Sequence, residues 1–322
     1  MSSKKTIAEV LHRPVTEGLR FLPEGPYPCG LNHFSWVAIQ NGPDALNGAI
    51  NVFNWNKKTN VAYKLPGRPG FAFPTDQPGI FVVGCEHELG FFSTLDGSWK
   101  PFNTGVDSDR QGTIINDGIV WKDNLIFGTK DLEFKTKKAG LYLFRSADQQ
   151  LIRLRDDQVC SNGKAIIPID ENRIRLFDID SPTRKVVSYV IDLAQGIASE
   201  ASIAVDLTSD SAVPDGMTLT PDEKSVIISM YNPNPAEHGE TRQYSLDGGT
   251  LEHTWITPGS PQNTCPQLLP WQGKIYLVIT TAVENMPPER RHLSPEAGSL
   301  FHAKTDFEGV SSNVSAFQYF TI

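Results

Sequence analysis

An all-β protein, a six-bladed β-propeller of four-stranded blades around a central metal site, is expected for this chain on three grounds. Oxygen-bearing side chains beside glycine recur at blade-like intervals, short apolar runs fill those intervals, and no long amphipathic helix interrupts them. The recurring strings are Asn116-Asp117-Gly118, Ser161-Asn162-Gly163 and Pro214-Asp215-Gly216, with 46 residues from Asn116 to Asn162 and 53 from Asn162 to Asp215. Radial β-repeats have periods of roughly 40 to 50 residues. Steps of 46 back from Asn116 reach Gly70-Phe71-Ala72-Phe73 and then Pro23-Glu24-Gly25-Pro26, and a step of 48 beyond Asp215 reaches Asn263-Thr264-Cys265-Pro266. Six anchors thus tile the 322 residues, which read as one domain over 1–322.

Strand-like runs follow in order: Ser35-Trp36-Val37-Ala38-Ile39, Ile80-Phe81-Val82-Val83, Leu125-Ile126-Phe127, Leu141-Tyr142-Leu143-Phe144, Ile174-Arg175-Leu176-Phe177, Ser225-Val226-Ile227-Ile228 and Ile275-Tyr276-Leu277-Val278-Ile279. Turns such as Asp96-Gly97-Ser98 and Asp247-Gly248-Gly249 punctuate them, and 26 glycines with 23 prolines supply the breaks that many short strands require. The nearest approach to an amphipathic helix, Val190 to Ile203, is interrupted by Gly196 and two serines and reads as a loop or a single turn. The prolines around Glu24 read locally as a turn, whereas Glu17 is placed to open a strand.

The innermost strands of a propeller surround one channel, so anchors far apart in sequence become neighbours there. Glu24, Asn162 and Asp215, with Asn116 alongside, offer oxygen donors and two formal negative charges. Such a set suits a hard divalent cation, calcium first, with zinc, manganese, magnesium or ferrous iron as substitutes. Each glycine after a ligand is expected to let the backbone turn tightly and approach the ion. Glu17 stands as a rival to Glu24 for the first ligand. It fits neither the 46-residue step nor the Glu-Gly-Pro string.

Other chemistries have little support. A net charge of −8 disfavours a nucleic-acid surface. The basic cluster Lys135, Lys137 and Lys138 reads as a solvated hairpin. The N-terminal residues lack the apolar core of a secretory signal, and no apolar run approaches the ~18 residues of a membrane span, so a soluble cytoplasmic protein acting on a small molecule is expected. Cys29, Cys85, Cys160 and Cys265 form no CxxC pair and read as reduced packing residues. Cys85-Glu86-His87-Glu88 is a poor metal cluster, because alternate residues of a strand face opposite ways. No Gly-x-Ser-x-Gly elbow, His-Glu-x-x-His pair or phosphate loop is present. Oligomeric state is not encoded legibly.

From about Glu24 onward the chain resembles the senescence-marker-protein (regucalcin), gluconolactonase and luciferin-regenerating-enzyme group of metal-dependent propellers. The resemblance is carried by Glu24-Gly25-Pro26, Ile115-Asn116-Asp117-Gly118 with Phe127-Gly128-Thr129, Cys160-Ser161-Asn162-Gly163 and Val213-Pro214-Asp215-Gly216-Met217. It implies that Glu24, Asn162 and Asp215 match metal ligands, that Asn116 matches a substrate contact, and that an acidic substrate contact falls at Glu133. It also implies a metal-dependent hydrolase of a lactone or similar small ester, with Asp215 orienting or deprotonating water. Members acting on sugar lactones often carry arginine two residues before the Asn-Asp-Gly asparagine. Here that place is Ile114, and Arg110 is out of register. A phosphotriester hydrolase on the same site, or a calcium-binding protein without catalysis, are the alternatives.

Overall fold

The computed structural model describes residues 3–311 and 314–321. Six sheets stand side by side in a ring, antiparallel but for one added outer strand. The inner strands are Pro23–Gly30, Pro69–Pro74, Thr113–Trp121, Ser161–Pro168, Val213–Leu219 and Asn263–Trp271, and they define blades 1 to 6. All six anchors read from the sequence lie on these strands. Each inner strand packs against the next, and the sixth packs against the first.

The strands of blades 1, 2, 3 and 5 run outward in chain order. In blade 6, Glu9–His12 from the start of the chain pairs antiparallel with Leu300–Lys304, so backbone hydrogen bonds between the two ends of the chain close the ring. Lys4–Ile7 adds a fifth, parallel strand to blade 5 against Leu251–Pro258. Blade 4 has a divided outer edge, with Ile197–Ala198 and Ser202–Asp206 both paired to Lys185–Asp192.

Burial explains the patterning. Second strands such as Ile80–Cys85 and Asn124–Asp131 are covered on both faces by neighbouring blades and are buried almost throughout. Aromatic side chains fill the wedges between blades: Phe71, Phe127, Tyr142 and Phe144 join blades 2 and 3, and Phe34, Trp36, Phe53 and Trp55 meet Leu269 and Val278 between blades 1 and 6. Phe127 is fully buried, and truncating such a ring to alanine removes about 3–5 kcal/mol of stability.

Three local expectations are corrected. Glu17 opens a short helix, Glu17–Phe21, rather than a strand, with its carboxylate near Arg20 (3.3 Å) and Arg291 (3.6 Å). The Val190–Ile203 stretch is not one loop: the strand Lys185–Asp192, anchored by buried Val186, Tyr189 and Ile191, runs into it, a turn around Gly196 follows, and the short strands Ile197–Ala198 and Ser202–Asp206 pair back on Lys185–Asp192. Cys85-Glu86-His87-Glu88 is a hairpin turn between two strands, with Glu86 at φ +54° and paired to Arg68 at 2.7 Å.

Candidate metal centre

Every inner strand breaks register where it passes the channel: between Glu24 and Tyr27, Pro69 and Phe71, Ile115 and Gly118, Asn162 and Lys164, Pro214 and Met217, and Asn263 and Pro266. Such bulges re-aim side chains. The neighbouring glycines divide in role: Gly25, after Glu24, takes φ +52°, the turn conformation expected of it, whereas others are required by close packing. Gly70 and Gly163 have no positive φ. A Cβ at Gly70 would lie 2.0 Å from the Asn116 carbonyl oxygen, and one at Gly163 would lie 2.6 Å from the Met217 backbone nitrogen. These glycines let adjacent inner strands approach closely.

Glu24, Asn116, Asn162 and Asp215 line one cavity of about 410 Å³ at one mouth of the channel. Residues further along the same strands, among them Asp117, Lys164 and Cys265, line a smaller space of about 60 Å³. An amide chain crosses the floor of the larger cavity. Asn116 Nδ2 donates to Asn162 Oδ1 at 2.8 Å and to the Ser161 carbonyl at 2.9 Å, and Asn162 Nδ2 donates to Ser181 Oγ at 2.8 Å. Both Asn116 amide hydrogens are therefore engaged, leaving its Oδ1 as an acceptor.

The two carboxylates are poorly compensated. Glu24 accepts only a long bond from the Gly25 N–H (3.3 Å), and neither Glu24 nor Asp215 has an ion-pair partner within 4 Å among the described residues. Both reach the cavity, yet the surrounding protein withdraws them from bulk water. Burial first, then the charges of Asp215 and Asp117, push the Glu24 carboxyl well above the usual range, and burial followed by Asp117 does the same to Asp215. Among the described residues no group of three His, Cys, Asp or Glu side chains is arranged for a metal. The set here is two carboxylates and an amide oxygen. Its hard donors and unbalanced negative charge fit a divalent cation of the calcium type.

Glu133 is not brought to the cavity. Its side chain is 67% exposed and pairs with Lys135 at 3.2 Å. The cause is Asp131, whose carboxylate accepts from the backbone N–H groups of Glu133, Lys135 and Thr136 and pairs with Lys138 at 3.0 Å. Although burial opposes its ionisation, those bonds hold Asp131 well below the usual range. The turn so fixed sends Glu133 outward and Phe134 into the cavity wall. Arg110 is tied to the carbonyls of Lys138 (2.6 Å) and Asp156 (3.1 Å), away from the cavity lining, and Ile114 is buried.

Sequence reasoning missed Lys130, Phe134, Ser181 and Tyr231, all of which line the cavity. Lys130 had one available signal, as a lysine at the end of a strand otherwise rich in buried apolar residues. All four cysteines are free. The Cys160 thiol, at the cavity, is pushed far up by burial and is no nucleophile at neutral pH.

Comparison with known proteins bears on the family and the fold. L-arabinolactonase of Azospirillum brasilense is 25% identical over 258 residues, 78% of this chain and 79% of that protein. A Bacillus subtilis (strain 168) relative is 28% identical over 183 residues, 56% of this chain, and the match spans only 58% of that relative's length. The calcium-binding protein regucalcin of Agrobacterium tumefaciens superposes with a TM-score of 0.79 over 100% of both chains at 16% identity, a likeness of fold. The family described as SMP-30/Gluconolactonase/LRE-like region matches residues 22–283, and the chain belongs to it.

Proposed function

We propose that this protein is a divalent-metal-dependent hydrolase of a lactone. The observation that carries the reading is the pair of carboxylates, Glu24 and Asp215, which stand beside Asn162 without an ion-pair partner among the described residues, in the cavity of a propeller of this family. Glu24, Asn162 and Asp215 would hold the metal, calcium first. When bound, the metal supplies Lewis-acid polarisation of the substrate carbonyl and stabilises charge on its oxygen.

The chain's own groups do the rest. Asp215 orients the attacking water and accepts its proton on a carboxylate oxygen. Asn116 Oδ1 accepts from a substrate hydroxyl, which places the scissile carbonyl over the carboxylates. Ser181 fixes the Asn162 amide so that its oxygen faces Asn116 and the cavity. Leu22, Ile39, Val213 and Phe134 wall the cavity with apolar surface and exclude bulk water. That wall also accommodates a phosphotriester.

The test is the initial hydrolysis rate of metal-stripped protein on aldonolactones, aliphatic lactones and an organophosphate, with and without added divalent cations. Metal-restored turnover of a lactone supports the proposal. Turnover of the organophosphate alone moves the site to phosphorus chemistry, and metal binding without turnover of any of them makes the protein a binder.

A further inference from the structure

Two cations line this cavity: Arg184, which donates to the Asp210 carbonyl at 2.6 Å, and Lys130. Lys130 ends the strand Asn124–Asp131, is 6% exposed and lines the same space as Glu24, Asn116, Asn162 and Asp215. Its backbone is clamped on both sides. It pairs with Ile114 on the inner strand of blade 3 and bridges to Cys160 at the start of blade 4. The side chain therefore leaves a fixed point with little choice of direction.

What makes it informative is the lack of any partner. Among the described residues the Lys130 ammonium makes no hydrogen bond and no ion pair; its one recorded contact is the Phe134 ring, 5.9 Å from Nζ. A ring face does not satisfy three N–H donors. The other buried lysine, Lys164, is by contrast fully engaged by Asp178, Ser161 and the Asn162 carbonyl. Burying an ammonium without an acceptor is unfavourable, so the fold maintains Lys130 in a state that a ligand oxygen would complete. The charge of Lys130 is felt by both Glu24 and Asp215, yet it forms no ion pair with either, which leaves its donors for a third party.

We infer that Lys130 is a substrate-binding residue that donates to oxygen atoms on the ring of a hydroxylated lactone. Asn116 Oδ1 is an acceptor in the same cavity, and a hydroxyl both donates and accepts; the two groups together recognise a ring hydroxyl, which an unsubstituted lactone does not carry. Lys130 stands on the second strand of blade 3, and its cross-strand neighbour on the first, Ile114, is apolar and buried. This assignment rests on the lactone reading of the same cavity.

The experiment compares wild type with Lys130→Met, which keeps the length of the side chain without its charge, and Lys130→Arg. Four readouts are taken: KM for an aldonolactone, KM for unsubstituted δ-valerolactone and calorimetric affinity for the corresponding aldonate on calcium-loaded protein, and calcium affinity on metal-stripped protein. Lys130→Met is expected to lose about tenfold or more in aldonolactone KM and aldonate affinity, the scale of one charge-assisted hydrogen bond. The δ-valerolactone KM should be unchanged and calcium affinity equal or higher, since a positive charge beside Glu24 and Asp215 is gone. Lys130→Arg should recover part of the loss. Equal aldonate affinity in wild type and Lys130→Met overturns the assignment, as does a loss shared equally by both lactones or accompanied by weaker calcium binding. If wild type hydrolyses no lactone but binds aldonate in a Lys130-dependent way, the hydrolase reading fails and the Lys130 assignment stands.

Discussion

Lys164 and Asp178 form an ion pair with both side chains fully buried, 3.2 Å apart, behind the floor of the site. Lys164 also donates to Ser161 Oγ at 3.0 Å and to the carbonyl of Asn162 at 2.7 Å, while Asp178 accepts from Gln158 Nε2. Replacing Lys164 with methionine fills nearly the same volume, so little cavity term arises. What remains is a buried carboxylate without its cation and a ligand-bearing backbone without its donor. Breaking such a pair from one side removes about 3–5 kcal/mol. Urea unfolding of wild type, Lys164→Met, Asp178→Asn and the double variant measures this. Neutralising Asp178 in the Lys164→Met background should restore more than about 1 kcal/mol, because the two groups are in direct contact. Calcium affinity of Lys164→Met should fall as well, since Asn162 loses its anchor. A Lys164→Met loss below about 1 kcal/mol, or no recovery in the double variant, refutes the argument that this pair supports the site.

Three further outcomes are expected. Ser181→Ala frees the Asn162 amide and should weaken calcium binding about 10-fold or more, the usual effect of removing a partner behind a metal ligand; a calcium titration by calorimetry reads it. Because burial and the charges of neighbouring carboxylates raise Glu24 and Asp215, metal must displace a proton held there, so affinity should fall on acidification from a pH above the ordinary carboxylate range. Proton uptake by buffers of different ionisation enthalpy reveals it, and pH-independent affinity down to the ordinary range would contradict it. His253 lies against Trp255 with ring centroids 3.9 Å apart, and burial, aided by the charge of Lys4, brings its pKa down to about 4. A folded value below the unfolded one means that its contribution to stability is full above about pH 6.5 and is lost as pH falls toward 4. His253→Gln should therefore flatten the decline in unfolding free energy between pH 7 and pH 5.

The ring was legible because each blade repeats one device, an inner strand that bulges at the channel, and in blades 2, 4 and 5 a glycine stands where the next inner strand crowds it. Asn116, Asn162 and Asp215 stand at or beside such bulges, and the 46- and 53-residue steps between them measure the blades. Glu24 was harder, because its prolines look like a turn; in the fold they lie on the inner strand of blade 1, whose register break tolerates missing donors. Closure of blade 6 by Glu9–His12 could not be read, since strand pairing across nearly the whole chain leaves no local pattern. Glu133 was drawn to the site by the family resemblance, and the hydrogen bonds gathered by Asp131 turn its side chain outward. Lys130 and Lys164 look alike in sequence. Only three-dimensional partners separate a lysine locked in an ion pair from one left open to a cavity.

The central claim is that Glu24, Asn162 and Asp215 hold a catalytic divalent metal. Its most direct test is the initial rate of aldonolactone hydrolysis by metal-stripped protein as calcium is titrated in, for wild type and Asp215→Asn side by side. The account predicts a saturable, metal-dependent rate for wild type and a loss of at least about 100-fold for Asp215→Asn with the fold retained. Hydrolysis that proceeds equally without metal, or an Asp215→Asn rate equal to wild type at saturating calcium, would contradict it.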